Sequence, residues 1–83
     1  MALGDVAALR EWLERDHPPA VIADTVTAWV WRLDRTPWQY PSVPFQPESE
    51  IRTAEVPGTG GVHVFYRQAY ALDVVDLIWV GVI

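Results

Sequence analysis

The chain has 83 residues, of which 51% are hydrophobic, five are tryptophans and none is cysteine, and its formal net charge is −5. This length suits a single small domain spanning residues 1–83, the apolar content argues against disorder, and the lack of cysteine excludes disulfides and thiolate metal sites. Because nucleic-acid binding depends on cations that neutralise phosphates, six arginines among eleven acids disfavour a nucleic-acid partner and favour a protein.

A first helix is predicted near the start of the chain. Asp5 is expected to cap it, and apolar side chains repeat at helical spacing as far as Asp16. Trp12 belongs to this apolar stripe and is therefore expected in the core. Glu11 and Arg15 stand in the order that favours an i,i+4 ion pair.

A second helix is predicted from about Pro19 to Arg35, since the proline pair that ends the first helix suits the first turn of the next. Its buried stripe is expected to contain Ile22, Val26, Trp29, Val30 and Leu33. Trp31 lies about 200° around the helix from Trp29 and cannot share its face. The two helices should form an antiparallel hairpin.

The segment from Thr36 to Pro47 contains four prolines, which exclude a regular helix or a central strand. We expect an extended connection that is pinned by Trp38, Tyr40 and Phe45, and a PxxP-type ligand is the less favoured alternative. Trp31, Trp38 and Tyr40 together are predicted to form an exposed apolar patch, which usually marks a protein interface.

Three strands are predicted after this connection, at residues 50–56, 62–70 and 74–83, and the turn PGTGG joins the first two. The last strand is the most apolar, and Trp79 is expected to face the core. This strand carries Asp76 and is too short to span a bilayer. Because no signal peptide is recognisable either, we expect a cytoplasmic protein. Two helices followed by a three-stranded antiparallel meander predict an α+β domain.

The middle strand, within GVHVFYRQAY, concentrates polar and aromatic residues. Alternation along a strand predicts that Val62, Val64 and Tyr66 pack on the helices. His63 and Arg67 then share the open face of the sheet. Whether an arginine of the neighbouring strand joins them depends on the strand register.

The chain resembles the RelE/ParE superfamily of bacterial toxins in the order of its elements. These are a helical hairpin, a proline-containing connection and the segment EIRTAEVPGTGGVHVFYRQAYALDVVDLIWVG. In that family a strand of the type R-x-h-x-h-P-x leads through a turn into y-R-h-h-Y-R-h and then into an apolar strand. IRTAEVPG, VHVFYRQ and VVDLIWVG are similar to these three pieces. The resemblance implies a helical hairpin packed on a β-meander and preceded by a β-strand. Such a strand is not recognisable here, so the first strand is expected to be missing and a sheet edge to be open.

The resemblance implies the toxin component of a type II toxin–antitoxin pair. Its partners would be a small antitoxin and, in the ParE branch, DNA gyrase. Independently of the resemblance, the small core, the open sheet edge and the tryptophan excess predict self-association of the chain. The ParE branch is favoured because the basic residues of the mRNA-cleaving RelE branch are missing, and His63 stands where the family has an arginine. Arg67 would then anchor a carboxylate of the partner, because its planar donor fork matches one.

Two alternatives remain open. In an mRNA-cleaving enzyme, His63 would be the general acid or base, and Arg67 or Arg52 would hold the phosphate. The favoured interpretation instead gives Arg67 a salt bridge with Glu55 or Asp76 and makes the histidine a partly exposed polar residue. The second alternative is a non-toxic member of the fold that binds a protein or acts on a small molecule. We expect no cofactor and no metal, since the two histidines are isolated and no phosphate loop opens a helix.

Overall fold

The computed structural model describes residues 2–33, 35, 51–69 and 74–83. These contain, in chain order, β1 (Ala2–Leu3), α1 (Ala7–Asp16), α2 (Ala20–Trp31), β2 (Ile51–Glu55), β3 (Val62–Ala69) and β4 (Val74–Val82). The predicted α+β architecture is confirmed, and the three predicted strands agree with β2, β3 and β4 to within one residue at each end. The predicted connection from Thr36 to Pro47 lies outside the described residues. No described helix is long and apolar enough to cross a membrane.

The strands form one mixed sheet in the order β1-β4-β3-β2. The strand β3 is antiparallel to both β2 and β4, as predicted, and β1 runs parallel to β4. The expectation that the first strand is missing is therefore wrong. A strand of two residues is too short to leave an alternating pattern in the sequence, and its hydrogen-bond partners lie at the other end of the chain.

Hydrogen bonds at Asp76 and Leu77 hold the segment that follows β1 against the sheet. The backbone N–H of Asp5 donates to Oδ1 of Asp76 at 2.7 Å, and the N–H of Leu77 donates to the carbonyl of Asp5 at 2.8 Å. A side chain at Gly4 would collide with the Asp76 carboxylate, so glycine permits this close approach. One oxygen of this carboxylate is thus held by the N-terminal backbone.

The first helix agrees with its prediction. Oδ1 of Asp5 accepts a hydrogen bond from the N–H of Ala7 at 2.9 Å, which supplies the expected cap although Val6 occupies the N-cap position of the backbone. The helix ends where His17 adopts a left-handed conformation (φ 44°) and donates its N–H to the carbonyl of Leu13. The prolines that follow cannot continue it.

The second helix ends at Trp31, four residues before the predicted end at Arg35. Beyond Trp31 the backbone tightens into turns, in which the N–H groups of Arg32 and Leu33 donate to carbonyls three residues earlier. The predicted stripe is confirmed: its members are buried or pack partly buried against the core. Trp31 is 55% exposed, as its helical phase requires.

The core lies between the two helices and one face of the sheet. Its members are Ala8, Leu9, Trp12, Val26, Val30, Leu33, Val56, Val62, Val64, Tyr66, Val75, Leu77 and Val80. The burial of Trp12 and of the alternate residues of β3 is as predicted. The prediction that Trp79 faces the core is wrong, because its side chain is 37% exposed on the other side of the sheet.

A β-bulge in β4 is the reason. The register of β3 against β4 skips Ile78, and the pairs on either side of the skip are Phe65↔Trp79 and Tyr66↔Leu77. In a regular strand, Trp79 would point to the same face as Leu77. The extra residue gives the next core position to Val80, which is 1% exposed, and turns Trp79 to the opposite face.

Candidate functional site

The face of the sheet opposite the core holds two of the predicted site residues, His63 and Arg67. Along β3, His63 and Phe65 are partly exposed and Arg67 is exposed, whereas the intervening residues are buried. This agrees with the predicted alternation. We call this surface the open face, since the buried residues of both helices pack on the other side of the sheet.

Arg52 does not join His63 and Arg67 on the open face. It is paired with Tyr66, which is fully buried, and residues directly opposite each other in antiparallel strands point to the same side. Its Nε donates to Oε1 of Gln68 at 2.5 Å, and Gln68 is itself buried. Arg52 therefore serves a polar contact on the covered face.

His63 and Arg67 share the open face but are not adjacent. Four strand positions separate their Cα atoms by about 13 Å at about 3.3 Å per residue, and Phe65 stands between them. Nδ1 of His63 lies 2.8 Å from the carbonyl oxygen of Gly61. A carbonyl only accepts hydrogen bonds, so Nδ1 carries a proton and Nε2 of the neutral ring is the acceptor.

The predicted salt bridge of Arg67 with Glu55 or Asp76 is not found among the described residues. Glu55 is the cross-strand neighbour of His63 and lies at the far end of β2 from Arg67. Asp76 is directly opposite Arg67, but its Oδ1 accepts the backbone N–H of Asp5. Arg67 is exposed, so its side chain is accessible to a group from outside the described residues.

Arg15, Phe65 and Trp79 form an aromatic and cationic group on the open face, which we call the Trp79 cluster. The rings of Phe65 and Trp79 meet edge to face, with centroids 6.0 Å apart and planes at 69°. The guanidinium carbon of Arg15 lies 5.3 Å from the centroid of the Trp79 ring, within the range of a cation–π interaction.

Hydrogen bonds and a glycine hold the Trp79 cluster in place. Nη2 of Arg15 donates to the carbonyl of Val80 at 2.6 Å, and its Nε donates to Oδ1 of Asp16 at 3.1 Å. A Cβ added at Gly81 would lie 2.5 Å from Cη2 of Trp79 and 2.9 Å from Nη2 of Arg15. The indole therefore rests directly on the backbone of Gly81, where no other residue type leaves it room.

Sequence reasoning missed this cluster. It paired Arg15 with Glu11, and the structure turns Arg15 toward β4, so that no ion pair joins these two described residues. It also placed Trp79 in the core. The local signal was Gly81 inside a strongly apolar strand, since a glycine within a strand often marks a bulge or a close approach.

The remaining predicted sites are only partly visible. Trp31 is exposed on α2, whereas Trp38 and Tyr40 lie outside the described residues. Within the described ranges, no three histidine, aspartate or glutamate side chains could share a metal ion. What the open face offers is an exposed indole with a bound guanidinium, a second exposed arginine and one oriented imidazole. Comparisons with protein-family models, with curated proteins and with solved structures find no match to this chain.

Proposed function

We propose that this chain is a protein-binding domain and acts as the toxin component of a type II toxin–antitoxin pair, of the ParE-like kind that inhibits a protein target such as DNA gyrase. The observation that carries the proposal is the Trp79 cluster on the open face. Tryptophan and arginine dominate the energetics of protein interfaces, and a side chain that is held in place before binding loses little conformational entropy on contact.

The separation of the candidate catalytic residues also supports binding over RNA cleavage. An arginine that clamps a phosphate must lie close to the group that moves the proton. Arg52 is on the covered face, and Arg67 is about 13 Å along the strand from His63. Neither of these two arginines supplies a cation beside the imidazole. The guanidinium of Arg15 lies at Gly81, the cross-strand neighbour of His63, but it is held by the carbonyl of Val80 and the ring of Trp79.

The charge of the chain points to the same class of partner. A net charge of −5 repels nucleic acid and attracts a protein with a basic segment. A small antitoxin and a target enzyme are both proteins. The exposed guanidinium of Arg67 would pair with a carboxylate of such a partner.

The RelE/ParE character of the proposal rests on the resemblance of the sequence, and the short first strand supports it. The resemblance implies a β-strand before the helical hairpin, and β1 occupies that place. Within the superfamily, the ParE branch is preferred because the open face lacks an assembled catalytic set among the described residues.

The experiment compares two exposed tryptophans. Purified wild type, Trp79→Ala, Trp31→Ala and His63→Ala are tested for inhibition of gyrase supercoiling and for cleavage of ribosome-bound mRNA. We expect the wild type to inhibit gyrase and Trp79→Ala to weaken inhibition by about 30-fold, the effect of losing about 2 kcal/mol of binding energy. Trp31→Ala is the matched control on the helical side and should inhibit like the wild type, as should His63→Ala.

One observation favours mRNA cleavage as a second candidate. Nδ1 of His63 donates to the carbonyl of Gly61, so Nε2 is the proton acceptor of a neutral ring, and no described residue donates to it. Cleavage of ribosome-bound mRNA that is lost in His63→Ala would establish this candidate and refute the gyrase proposal. If the wild type is silent in both assays, both toxin proposals fail and a non-toxic binding protein of the same fold is left.

A further inference from the structure

Helix α2 carries a second apolar surface on the side opposite the core. Its sequence, AVIADTVTAWVW, contains a single charged residue. Val21 is 74% exposed and Trp31 is 55% exposed, although Val26 and Val30 of the same helix are fully buried. A helix that is apolar around its circumference is normally covered on all sides. The described part of this chain covers only one side of α2.

The outer surface of α2 is complementary in charge to itself. Ala28 lies near its centre, Asp24 lies one turn before Ala28, and Arg32 lies one turn after it, at about 3.6 residues per turn. All three residues are exposed. Among the described residues, no ion pair includes Asp24 or Arg32. Within the described residues, the surface therefore presents an acid and a base that have no ion-pair partner, at equal distances from Ala28.

We propose that two copies of this chain pair through α2, with the two helices antiparallel about a two-fold axis at Ala28. In such an interface each contact occurs twice. Asp24 of each copy faces Arg32 of the other, so both charges are paired. The small side chain of Ala28 allows the helices to approach closely, because the distance between helix axes depends on the residues at the contact.

The same geometry covers Trp31, the larger of the two exposed apolar residues. Trp31 of each copy reaches across the axis onto Thr25 and Ala28 of the other copy. The antiparallel arrangement also brings the positive end of each helix dipole near the negative end of the other. A parallel arrangement would instead place like charges opposite each other, at Asp24 and at Arg32.

The size of the surface sets the expected strength of the dimer. A helix of twelve residues is about 18 Å long. The contact of two such helices lies at or below the low end of areas typical of specific interfaces, so we expect a dissociation constant in the micromolar range or above. The outer surface of α2 and the two rings of the Trp79 cluster lie on opposite sides of the sheet, and only Arg15 of the cluster extends from a helix, α1. The dimer therefore presents two open faces to partners and does not depend on the proposed toxin function.

The test uses charge reversal with matched controls. Sedimentation velocity of the full chain is measured from the low micromolar to the millimolar range for the wild type, Asp24→Arg and Arg32→Asp. Glu14→Arg and Arg10→Asp make the same changes of net charge on exposed positions of α1. Each reversal on α2 should weaken association by at least about ten-fold, because it places like charges opposite each other, whereas the controls should associate like the wild type.

Mixing the two reversed chains gives the decisive result. An equimolar mixture of Asp24→Arg and Arg32→Asp should form a heterodimer, because opposite charges then face each other at both positions. Circular dichroism of each variant verifies folding. If Arg32→Asp does not fold, Ala28→Arg replaces it, since arginine is a good helix former and two arginines at the axis must separate the copies. Any of four results would overturn the proposal. The wild type could stay monomeric throughout the range, or the α2 reversals could associate as strongly as their controls. The Ala28→Arg variant could still dimerise, or the mixture of folded variants could stay monomeric.

Discussion

Replacing three tryptophans by alanine should give a graded loss of stability that follows their burial. Trp12 is 2% exposed, Trp79 is 37% exposed and Trp31 is 55% exposed. Truncation of a buried tryptophan leaves a cavity and costs about 3–5 kcal/mol. A domain of this length has a total free energy of unfolding of about 4–12 kcal/mol. Trp12→Ala is therefore expected to be largely or wholly unfolded.

The cost at Trp79 follows from what covers it. A fully buried aromatic side chain removes about 150–250 Å² from water, and about two-thirds of Trp79 is covered, by Phe65, Arg15 and the backbone of Gly81. Two-thirds of this area is about 100–170 Å². Alanine keeps part of it, so truncation removes about 100 Å² of buried area, which corresponds to about 2.5 kcal/mol at about 25 cal/mol per Å². This is an upper bound because the unfolded chain already buries part of the area. Solvent fills the open site, so no cavity contributes, and we expect about 1.5–2.5 kcal/mol.

Trp31→Ala should cost less than about 0.5 kcal/mol, as is usual for exposed positions away from special features. The assay is urea denaturation followed by far-ultraviolet circular dichroism, at a protein concentration below the dissociation constant of the proposed dimer. A loss at Trp79 equal to that at Trp12 would show that Trp79 is a core residue and that the β-bulge does not form. A larger loss at Trp31 than at Trp79 would contradict the orientation of α2.

Two further predictions test the bulge and the cluster. Ile78→Asp should fold and Val80→Asp should not, because Ile78 is 45% exposed whereas Val80 is 1% exposed and an unpaired carboxylate at that position would be buried. A regular strand would place both residues on the same face, so two variants that fold equally well by circular dichroism would contradict the bulge. Gly81→Ala should displace the indole of Trp79 and weaken gyrase inhibition about as much as Trp79→Ala, while the chain stays folded. A Gly81→Ala variant that inhibits gyrase as strongly as the wild type would contradict the placement of the ring.

Burial within regular elements could be predicted from the sequence because it depends on local periodicity. The stripe of α2 and the exposure of Trp31 follow from the helical period, and the buried Val64 and exposed Arg67 follow from alternation along β3. In each case the residues that set the pattern lie within a few positions of one another. Propensity and period alone therefore determine which face is apolar.

The first strand could not be predicted because it has no local periodicity. Ala2 and Leu3 are a strand only because Val74 and Val75 offer backbone partners at the far end of the chain. Two residues show no period of their own. Arg15 is a similar case, since local spacing offered Glu11 as its partner, and the carbonyl of Val80 and the ring of Trp79 were brought to it by folding.

The sequence by itself determined the fold class, the helical faces, the three long strands and the alternation that puts His63 and Arg67 on one surface. The tertiary structure alone decided that Arg52 lies on the other face and that Trp79 is exposed. Both outcomes depend on strand register, which is set by hydrogen bonds between segments distant in the chain. A single unpaired residue, Ile78, reverses the direction of the side chains that follow it. The candidate binding surface exists because of that reversal.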